Sequence, residues 1–384
     1  MNVDLLGKVL AEMKQPAFRL AQAKHAYFVE LLGGWSEVTP FSKQLREKLE
    51  AEIPWFSLTP VNTIESAHGD TVKALLVTAD GLKIETVLMR HEGGRNTVCV
   101  SSQIGCAMAC TFCATGTMGW KRNLTAEEIV DQVLYFSSWL KSKDAHVTNV
   151  VFMGMGEPLS NYDEVMKAVY IMNDADGMRI GARHITISTC GLVPGIRRLA
   201  AEPLQINLAI SLHSALDATR SKIMPVNKAF PVKKLIDAVD DYAGRTNRKV
   251  FFEYLLLKGV NDTKEQAEAL VHLLEHNKRL YHVNIIKYHD TEMFTATAHE
   301  GRIKFIHFLE RLGMPVTQRV SLGEDIDAAC GQLAVNDLSG KILQGKTAIR
   351  ENRKKKPASA SAMEVKAKQN VSEKLKKKPF TKRA

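Results

Sequence analysis

The chain lacks any apolar run long enough to cross a bilayer, and it shows no recognisable secretory signal peptide. Cysteine is scarce: there are six in 384 residues, and three of them fall within eight positions, a poor pattern for a disulfide scaffold. No internal repeat is visible beyond an alternation of strand and helix patterns. These absences argue against a transmembrane enzyme, and we expect a cytoplasmic protein.

Net charge is also scarce outside the C-terminal end. Residues 351–384 contain twelve Lys or Arg and three Glu, so this tail carries +9 of the net +10 and the rest of the chain about +1. The tail is poor in aromatic and β-branched residues, which predicts disorder. A flexible basic arm suits phosphate backbones and binds them in a salt-dependent way. A solubilising terminus with no specific role is an equal alternative.

Three closely spaced cysteines are the most informative feature. Cys106, Cys110 and Cys113 form a C-x3-C-x2-C run. A cubane [4Fe–4S] cluster has four irons that each want one thiolate, so three cysteines leave one iron open to a substrate. The spacing is similar to that of radical S-adenosylmethionine (SAM) enzymes, whose open iron holds the amino and carboxylate groups of SAM. A structural zinc site wants four ligands, often as two separated pairs, and no second pair is visible.

The first 95 residues have their own pattern. Helical apolar spacing marks 3–13 and 41–53, and apolar alternation on both sides of Asp80-Gly81 predicts a hairpin over 74–90. We therefore expect a small N-terminal helical module followed by a short antiparallel sheet, together covering 1–95.

From residue 96, strand and helix patterns alternate. Strands are predicted over 97–101, 147–153, 184–188, 206–211, 249–257, 282–288 and 316–320, and helices over 126–140, 162–172, 194–201, 232–242, 264–276 and 302–312. Thr125 stands three residues before Glu128, and Thr263 three before Gln266, which is capping-box spacing. Repeated β-α units predict an α/β fold with a parallel sheet, and about six units fit a partial, open TIM-like barrel. This barrel would cover 96–340, and the disordered basic tail 341–384.

Ligands of such barrels gather at the carboxyl ends of the strands, and several polar or small residues lie there. Glycine lets a ligand approach the backbone closely, and a carboxylate accepts a hydrogen bond from an ammonium group. A tight turn, a hydroxyl bonded to local backbone and a core histidine are the alternatives for these positions. In the context of the cysteine loop we take them as candidate SAM contacts: Gly156, Glu157, Ser188, Ser211, Leu212 and His213.

Three further residues have no assignment from pattern alone. Cys330 lies among small residues in G-E-D-I-D-A-A-C-G-Q-L, Cys99 lies in a strand seven residues before the first cluster cysteine, and Glu85 lies in K-I-E-T-V. A buried structural thiol is the common fate of a free cysteine. A solvent-facing strand carboxylate is the ordinary expectation for Glu85. Cys190 receives no role.

Together these motifs resemble the RlmN/Cfr family of radical SAM RNA methyltransferases. The similarity runs from about residue 18 to residue 333, and the segments S-S-Q-I-G-C-A-M-A-C-T-F-C-A-T-G and D-I-D-A-A-C-G-Q-L are long and specific. The cysteine region is closer to RlmN members, which methylate C2 of adenosine in 23S ribosomal RNA and act on tRNA. The resemblance implies one [4Fe–4S] cluster per chain, SAM, both RNA substrates, and an electron donor such as flavodoxin or ferredoxin.

The resemblance also implies a role for each unassigned residue. Cys330 takes a methyl group from one SAM, and a radical derived from a second SAM removes a hydrogen from that methyl group. The resulting carbon radical adds to the electron-poor C2 of adenine, and Glu85 accepts the C2 proton. Cys99 then attacks the Cys330 sulfur, releasing the RNA and leaving a Cys99–Cys330 disulfide. His289 stands where the family has a SAM-binding asparagine.

Two alternatives remain open at this level. One is a C8 methyltransferase of the Cfr type, and the other is a non-catalytic RNA-binding protein whose cysteines hold zinc. A monomer is the default oligomeric state.

Overall fold

The computed structural model describes residues 1–289, 293–328 and 332–333. Within these residues the strands are β1 (Leu58–Glu65), β2 (Thr71–Thr78), β3 (Lys83–Arg90), β4 (Asn96–Cys99), β5 (Gln103–Gly105), β6 (Trp120–Asn123), β7 (Asn149–Phe152), β8 (Ile185–Thr189), β9 (Asn207–Ser211), β10 (Val250–Leu256), β11 (Tyr281–Lys287) and β12 (Val316–Gln318). The helices are α1 (Val3–Glu12), α2 (Phe18–Phe28), α3 (Lys43–Glu52), α4 (Ala114–Thr117), α5 (Ala126–Lys141), α6 (Tyr162–Asn173), α7 (Val193–Leu199), α8 (Asp217–Ile223), α9 (Val232–Thr246), α10 (Lys264–Leu274) and α11 (His299–Arg311).

The main sheet has ten strands in the order β1-β2-β3-β4-β7-β8-β9-β10-β11-β12. The first four strands are antiparallel neighbours, and from β4 onward all neighbours are parallel. These parallel strands follow one another in chain order. Because they are parallel, their carboxyl ends lie along the same edge of the sheet. The predicted α/β class, an open barrel of about six β-α units with a small antiparallel sheet, is confirmed.

Side-chain hydrogen bonds cap the N-termini of two helices that pack outside the sheet, α5 and α10. Thr125 Oγ1 accepts a hydrogen bond from Glu128 N (3.2 Å), and a Glu128 carboxylate oxygen accepts one from Thr125 N (3.0 Å). The predicted capping box of α5 is therefore present. At α10, Thr263 accepts a hydrogen bond from Gln266 N (3.3 Å), but the Gln266 side chain bonds to Ser214 and Thr219 instead. The second predicted box is thus a simple N-cap.

The N-terminal part joins the barrel through shared strands and one buried carboxylate. The predicted hairpin is present as β2 and β3, and Gly81 in its turn has a φ of 78°. Asp131 of α5 accepts hydrogen bonds from the Tyr27 hydroxyl and from both N and Oγ of Ser57 (2.6 Å each). Helices α1 and α3 match predicted segments, whereas α2 and β1 were not predicted.

The boundaries between domains stay predictions. Strands on both sides of residue 95 belong to one sheet, because β3 pairs with β4. The proposed tail, 341–384, lies outside the described residues. Nowhere in the described part of the chain is a helix both long and apolar enough to cross a membrane.

Candidate active site

The cluster cysteines lie on a tightly wound loop between the two strands of the small sheet. Cys106 directly follows β5 and its N–H donates to Gly119 O (3.1 Å), while Cys113 caps α4. A Cβ on Gly105 would lie 1.7 Å from Gly119 O, and one on Gly116 would lie 2.8 Å from Cys110 O. Only glycine permits these close backbone approaches, so the loop's glycines fix where the thiols point.

The three thiols line one cavity of about 880 Å³, its mouth included. Among the described residues, no group of three His, Cys, Asp or Glu side chains is arranged to hold a single metal ion. Three thiols around one cavity match the donor set of an iron–sulfur cluster that has one iron open. The same cavity is lined by five of the predicted SAM contacts: Gly156, Glu157, Ser188, Ser211 and His213.

Burial raises the pKa of two of the three thiols. It raises the pKa of Cys106 to about 11, and it raises the pKa of Cys110 further. A metal centre deprotonates the thiols that bind it, because it supplies positive charge in place of the lost proton. The loop is therefore built to hold thiolates only when an inorganic group is bound.

Glu157 is placed by three backbone hydrogen bonds at the carboxyl end of β7. Its N–H donates to Gln103 Oε1 (2.8 Å), and its carboxylate accepts from Leu159 N (3.0 Å) and Cys190 N (2.8 Å). Burial raises the pKa of this carboxyl despite these bonds. Glu157 lines the cavity, so its carboxylate is a candidate acceptor for an ammonium group that enters there.

His213 is a neutral hydrogen-bond donor in this cavity. Burial, with a smaller contribution from the Arg220 charge, lowers the pKa of His213 to about 3. Nδ1 accepts a hydrogen bond from Leu255 N (3.1 Å), so the ring proton is on Nε2. Phe112 of the cysteine loop packs edge-on against the ring at 4.8 Å. Leu212 is fully buried beside it and does not line the cavity.

A second cavity of about 610 Å³ adjoins the first. It is lined by Cys99, at the end of β4, and by His289. Both cavities are lined by the same four residues, Met153, Ile286, Arg319 and Leu333, so they share a wall. His289, predicted as a SAM contact, lines the second cavity and lies 3.9 Å from the Glu324 carboxylate.

Glu85 lies on the same sheet face as Cys99. Val87 pairs with Cys99 across β3 and β4, and Glu85 lies two residues away on β3, so all three side chains point to one side. Glu85 is 0% exposed, and one carboxylate oxygen lies 3.3 Å from Lys73 Nζ. The expectation of a solvent-facing carboxylate is therefore wrong.

Cys330 itself lies outside the described residues, but the chain on both sides of it is anchored. Before it, Lys73 Nζ donates to Asp327 O (3.1 Å), and Asp325 accepts from Ala67 N (2.8 Å). After it, Leu333 O accepts from Thr115 Oγ1 of α4 (2.6 Å). Ala328 and Leu333, on either side of it, line the second cavity together with Cys99.

Several residues of the site were not found from the sequence. Gln103 holds Glu157, and Arg319 forms an ion pair with Glu253 (3.3 Å) where both line the first cavity. A charged residue inside the otherwise apolar strand F-F-E-Y-L-L was a signal for Glu253. The same signal marks Lys73 in T-V-K-A-L-L-V, whereas Arg220 occurs among the ordinary polar neighbours of α8 and had none.

Comparison with known proteins agrees with this geometry. The sequence model of the Radical SAM superfamily matches residues 100–274. The "Probable dual-specificity RNA methyltransferase RlmN" of Staphylococcus aureus strain JH9 is 44% identical over 339 residues, 88% of this chain and 92% of that protein. Its counterpart in strain NCTC 8325 matches equally.

A solved structure extends the likeness to the fold. The crystal structure of a radical SAM methyltransferase from Sphaerobacter thermophilus is 43% identical, with a TM-score of 0.85, over 88% of this chain and 98% of that one. The chain therefore belongs to the RlmN family of radical SAM RNA methyltransferases.

Proposed function

We propose that this enzyme methylates C2 of adenosine in 23S rRNA and in tRNA. One observation carries the proposal: the cavity with the three cysteines and the SAM-contact candidates shares a wall with the cavity that contains Cys99. Ala328 and Leu333 bring the chain that bears Cys330 to that second cavity. The S. aureus relatives are named as dual-specificity RNA methyltransferases, which supports RNA as the substrate and a dual specificity.

The first cavity is where the cofactors bind. Cys106, Cys110 and Cys113 hold one [4Fe–4S] cluster, which together with SAM supplies a carbon-centred radical that can remove a hydrogen atom. The Gly156 backbone and Glu157 take the amino group of SAM. Ser188, Ser211 and His213, which line the same cavity, are assigned to its carboxylate and ribose. Leu212 does not line this cavity and His289 lines the second one, so we assign neither to SAM.

The second cavity is where the chain's own nucleophiles act. Cys330 carries the methyl carbon as a thioether and then links it to the RNA. Glu85 accepts the proton that leaves adenine C2, and the adjacent Lys73 ammonium provides its counter-charge. Cys99 forms a sulfur–sulfur bond with Cys330 as the bond from the Cys330 sulfur to the RNA-linked carbon breaks.

The decisive experiment follows the methyl group. Protein reconstituted anaerobically is incubated with methyl-labelled SAM, a one-electron donor and either 23S rRNA or tRNA, and the nucleosides are analysed by mass spectrometry. Label at adenine C2 is expected in both RNAs. Label at C8 would instead assign Cfr-type specificity, and label in one RNA only would remove the dual specificity.

The metal content tests the same proposal independently. About four irons per chain and a broad visible absorption band are expected for a [4Fe–4S] protein. One zinc and no colour would overturn the proposal and restore the zinc-binding alternative.

A further inference from the structure

One buried cation near the cysteine loop has no role in the function proposed above. Arg220 lies in α8 and its side chain is 0% exposed. It donates to Leu212 O (3.0 Å), Asn227 Oδ1 (2.8 Å), Cys190 O (2.7 Å) and Ser211 O (3.2 Å). All of these acceptors are neutral.

No carboxylate among the described residues forms an ion pair with this guanidinium. Asp217 is connected to it only through Asn227, whose side-chain amide donates to the Asp217 carboxylate (2.8 Å). Burying a charge is strongly unfavourable unless a partner compensates for it. A fully buried arginine that has only neutral acceptors is therefore expected to face a negative charge that binds later.

The surroundings of Arg220 indicate where that charge would be. Its acceptors are backbone carbonyls at the ends of β8 and β9, next to Ser211 and His213 of the first cavity. The C-terminal carbonyl of α8, Ile223 O, accepts hydrogen bonds from N (3.0 Å) and Oγ1 (3.3 Å) of Thr111 in the cysteine loop. One short helix thus attaches the guanidinium to the loop that carries the thiols.

The guanidinium lies beside the cavity that the three thiols line, because two residues whose carbonyls accept its hydrogen bonds, Cys190 and Ser211, also line that cavity. Three thiolates around a [4Fe–4S] core give a unit that is net negative and becomes more negative when it takes up an electron. A nearby buried cation stabilises the reduced form more than the oxidised one, because charges interact strongly in a low-dielectric interior.

We infer that Arg220 is the buried counter-charge of the iron–sulfur cluster, raising its reduction potential without contacting SAM or RNA. This inference rests on the proposed function, because it needs a cluster on Cys106, Cys110 and Cys113. The electron comes from an external one-electron donor, and Arg220 neither gains nor loses a proton. Arg220 thus acts on the cluster through its charge and does not contact the reacting atoms.

The test compares three variants in the full-length, cluster-loaded protein. Arg220→Gln removes the charge, Arg220→Lys keeps it, and Arg197→Gln removes an exposed arginine from the neighbouring helix α7. The midpoint potential is measured by an anaerobic titration with dithionite and redox mediators, followed by electron paramagnetic resonance. We expect a more negative potential for Arg220→Gln, a smaller shift for Arg220→Lys, and none for the control.

Each outcome of this test either supports or overturns the inference about Arg220. An unchanged potential in a fully loaded Arg220→Gln protein overturns the inference and leaves the proposed function intact. If Arg220→Gln folds, as judged by circular dichroism, but loses iron while Arg220→Lys keeps it, the charge is required and the inference stands. If both variants lose iron, the guanidinium hydrogen bonds rather than the charge are responsible, and the inference falls. An unmodified protein without a cluster would overturn both.

Discussion

At the scale of single residues, the two cavities separate the nucleophiles from the cofactor site. Cys99 and Glu85 lie on one sheet face and Cys99 lines the second cavity, whereas the cysteine-loop thiols line the first. In the proposed reaction Cys99 acts last, after the RNA has been linked to Cys330.

Replacing Cys99 by alanine should therefore trap the enzyme on its RNA. The Cys99→Ala protein is expected to form a covalent protein–RNA species that survives denaturing electrophoresis, with turnover reduced to one event or fewer per chain. Cys330→Ala is the matched control and should form no such species. Multiple turnover by Cys99→Ala at the native rate would remove its resolving role.

A substitution at Gly156 tests the proposed SAM site, because the backbone conformation of this residue favours glycine. It has a φ of 98°, and a Cβ there would lie 2.5 Å from Gln103 Cβ. Backbone strain of this kind costs about 1–3 kcal/mol, so Gly156→Ala should weaken SAM binding by about tenfold or more. Equilibrium dialysis on cluster-loaded protein measures this.

The control for that substitution is Gly244→Ala in α9, where an added Cβ meets nothing within 4 Å. It should leave SAM affinity unchanged and stabilise the helix by up to about 1 kcal/mol. Equal SAM affinity in both variants would show that the Gly156 backbone is not part of the binding site.

Residue-level patterns selected side chains that lie together in the structure where a fixed spacing or a strand end marked the position. The cysteine run and Glu157, Ser188, Ser211 and His213 are brought to one cavity in this way. Glu85 was misplaced because β2 and β3 are buried on both faces, so alternation could not show which side was exposed. Arg220 could not be found, since its importance comes from a burial that no local pattern encodes.

At the scale of elements, the N-cap of α5 stabilises the N-terminus of this helix. Thr125 and Glu128 satisfy each other's backbone N–H groups, and Arg122 donates to both Glu128 carboxylate oxygens (2.8 and 2.9 Å). Thr125→Ala should lower the free energy of unfolding by about 1 kcal/mol, because an N-terminal N–H group loses its partner. Urea unfolding followed by circular dichroism measures this.

Two comparisons make the capping experiment specific. Thr125→Ser keeps the hydroxyl and should retain most of the stability. Thr59→Ala, at an exposed position of β1, should change stability by less than about 0.5 kcal/mol. A Thr125→Ala protein as stable as Thr59→Ala would contradict the role of the cap.

The elements that the sequence did not predict have weak, interrupted or very short apolar patterns. Helix α2 has a weak apolar stripe, because Phe18 is 55% exposed while small Ala23 and Ala26 are buried. Strand β1 lies at the sheet edge and contains an irregularity after Pro60, so its alternation is broken. Strands β5 and β6, with three and four residues, are too short for any periodicity to be read.

At the scale of the whole molecule, charge is concentrated in the C-terminal tail. Residues 351–384 carry +9, and each phosphate that a basic side chain neutralises adds about 0.9 to the salt dependence of binding. Removing 351–384 should weaken RNA binding and flatten its dependence on salt, measured by filter binding over a range of KCl concentrations. A full-length chain with its tail Lys and Arg replaced by Gln should behave like the truncation. An unchanged salt slope would make the tail a passive terminus.

The hydrogen bond from Thr115 to Leu333 has a wider consequence. It connects helix α4, whose N-cap is Cys113, to Leu333, three residues after Cys330. Under the proposed function, this bond fixes the cofactor loop and the chain next to Cys330 relative to each other, so the positions of the two reacting parts of the enzyme depend on one another.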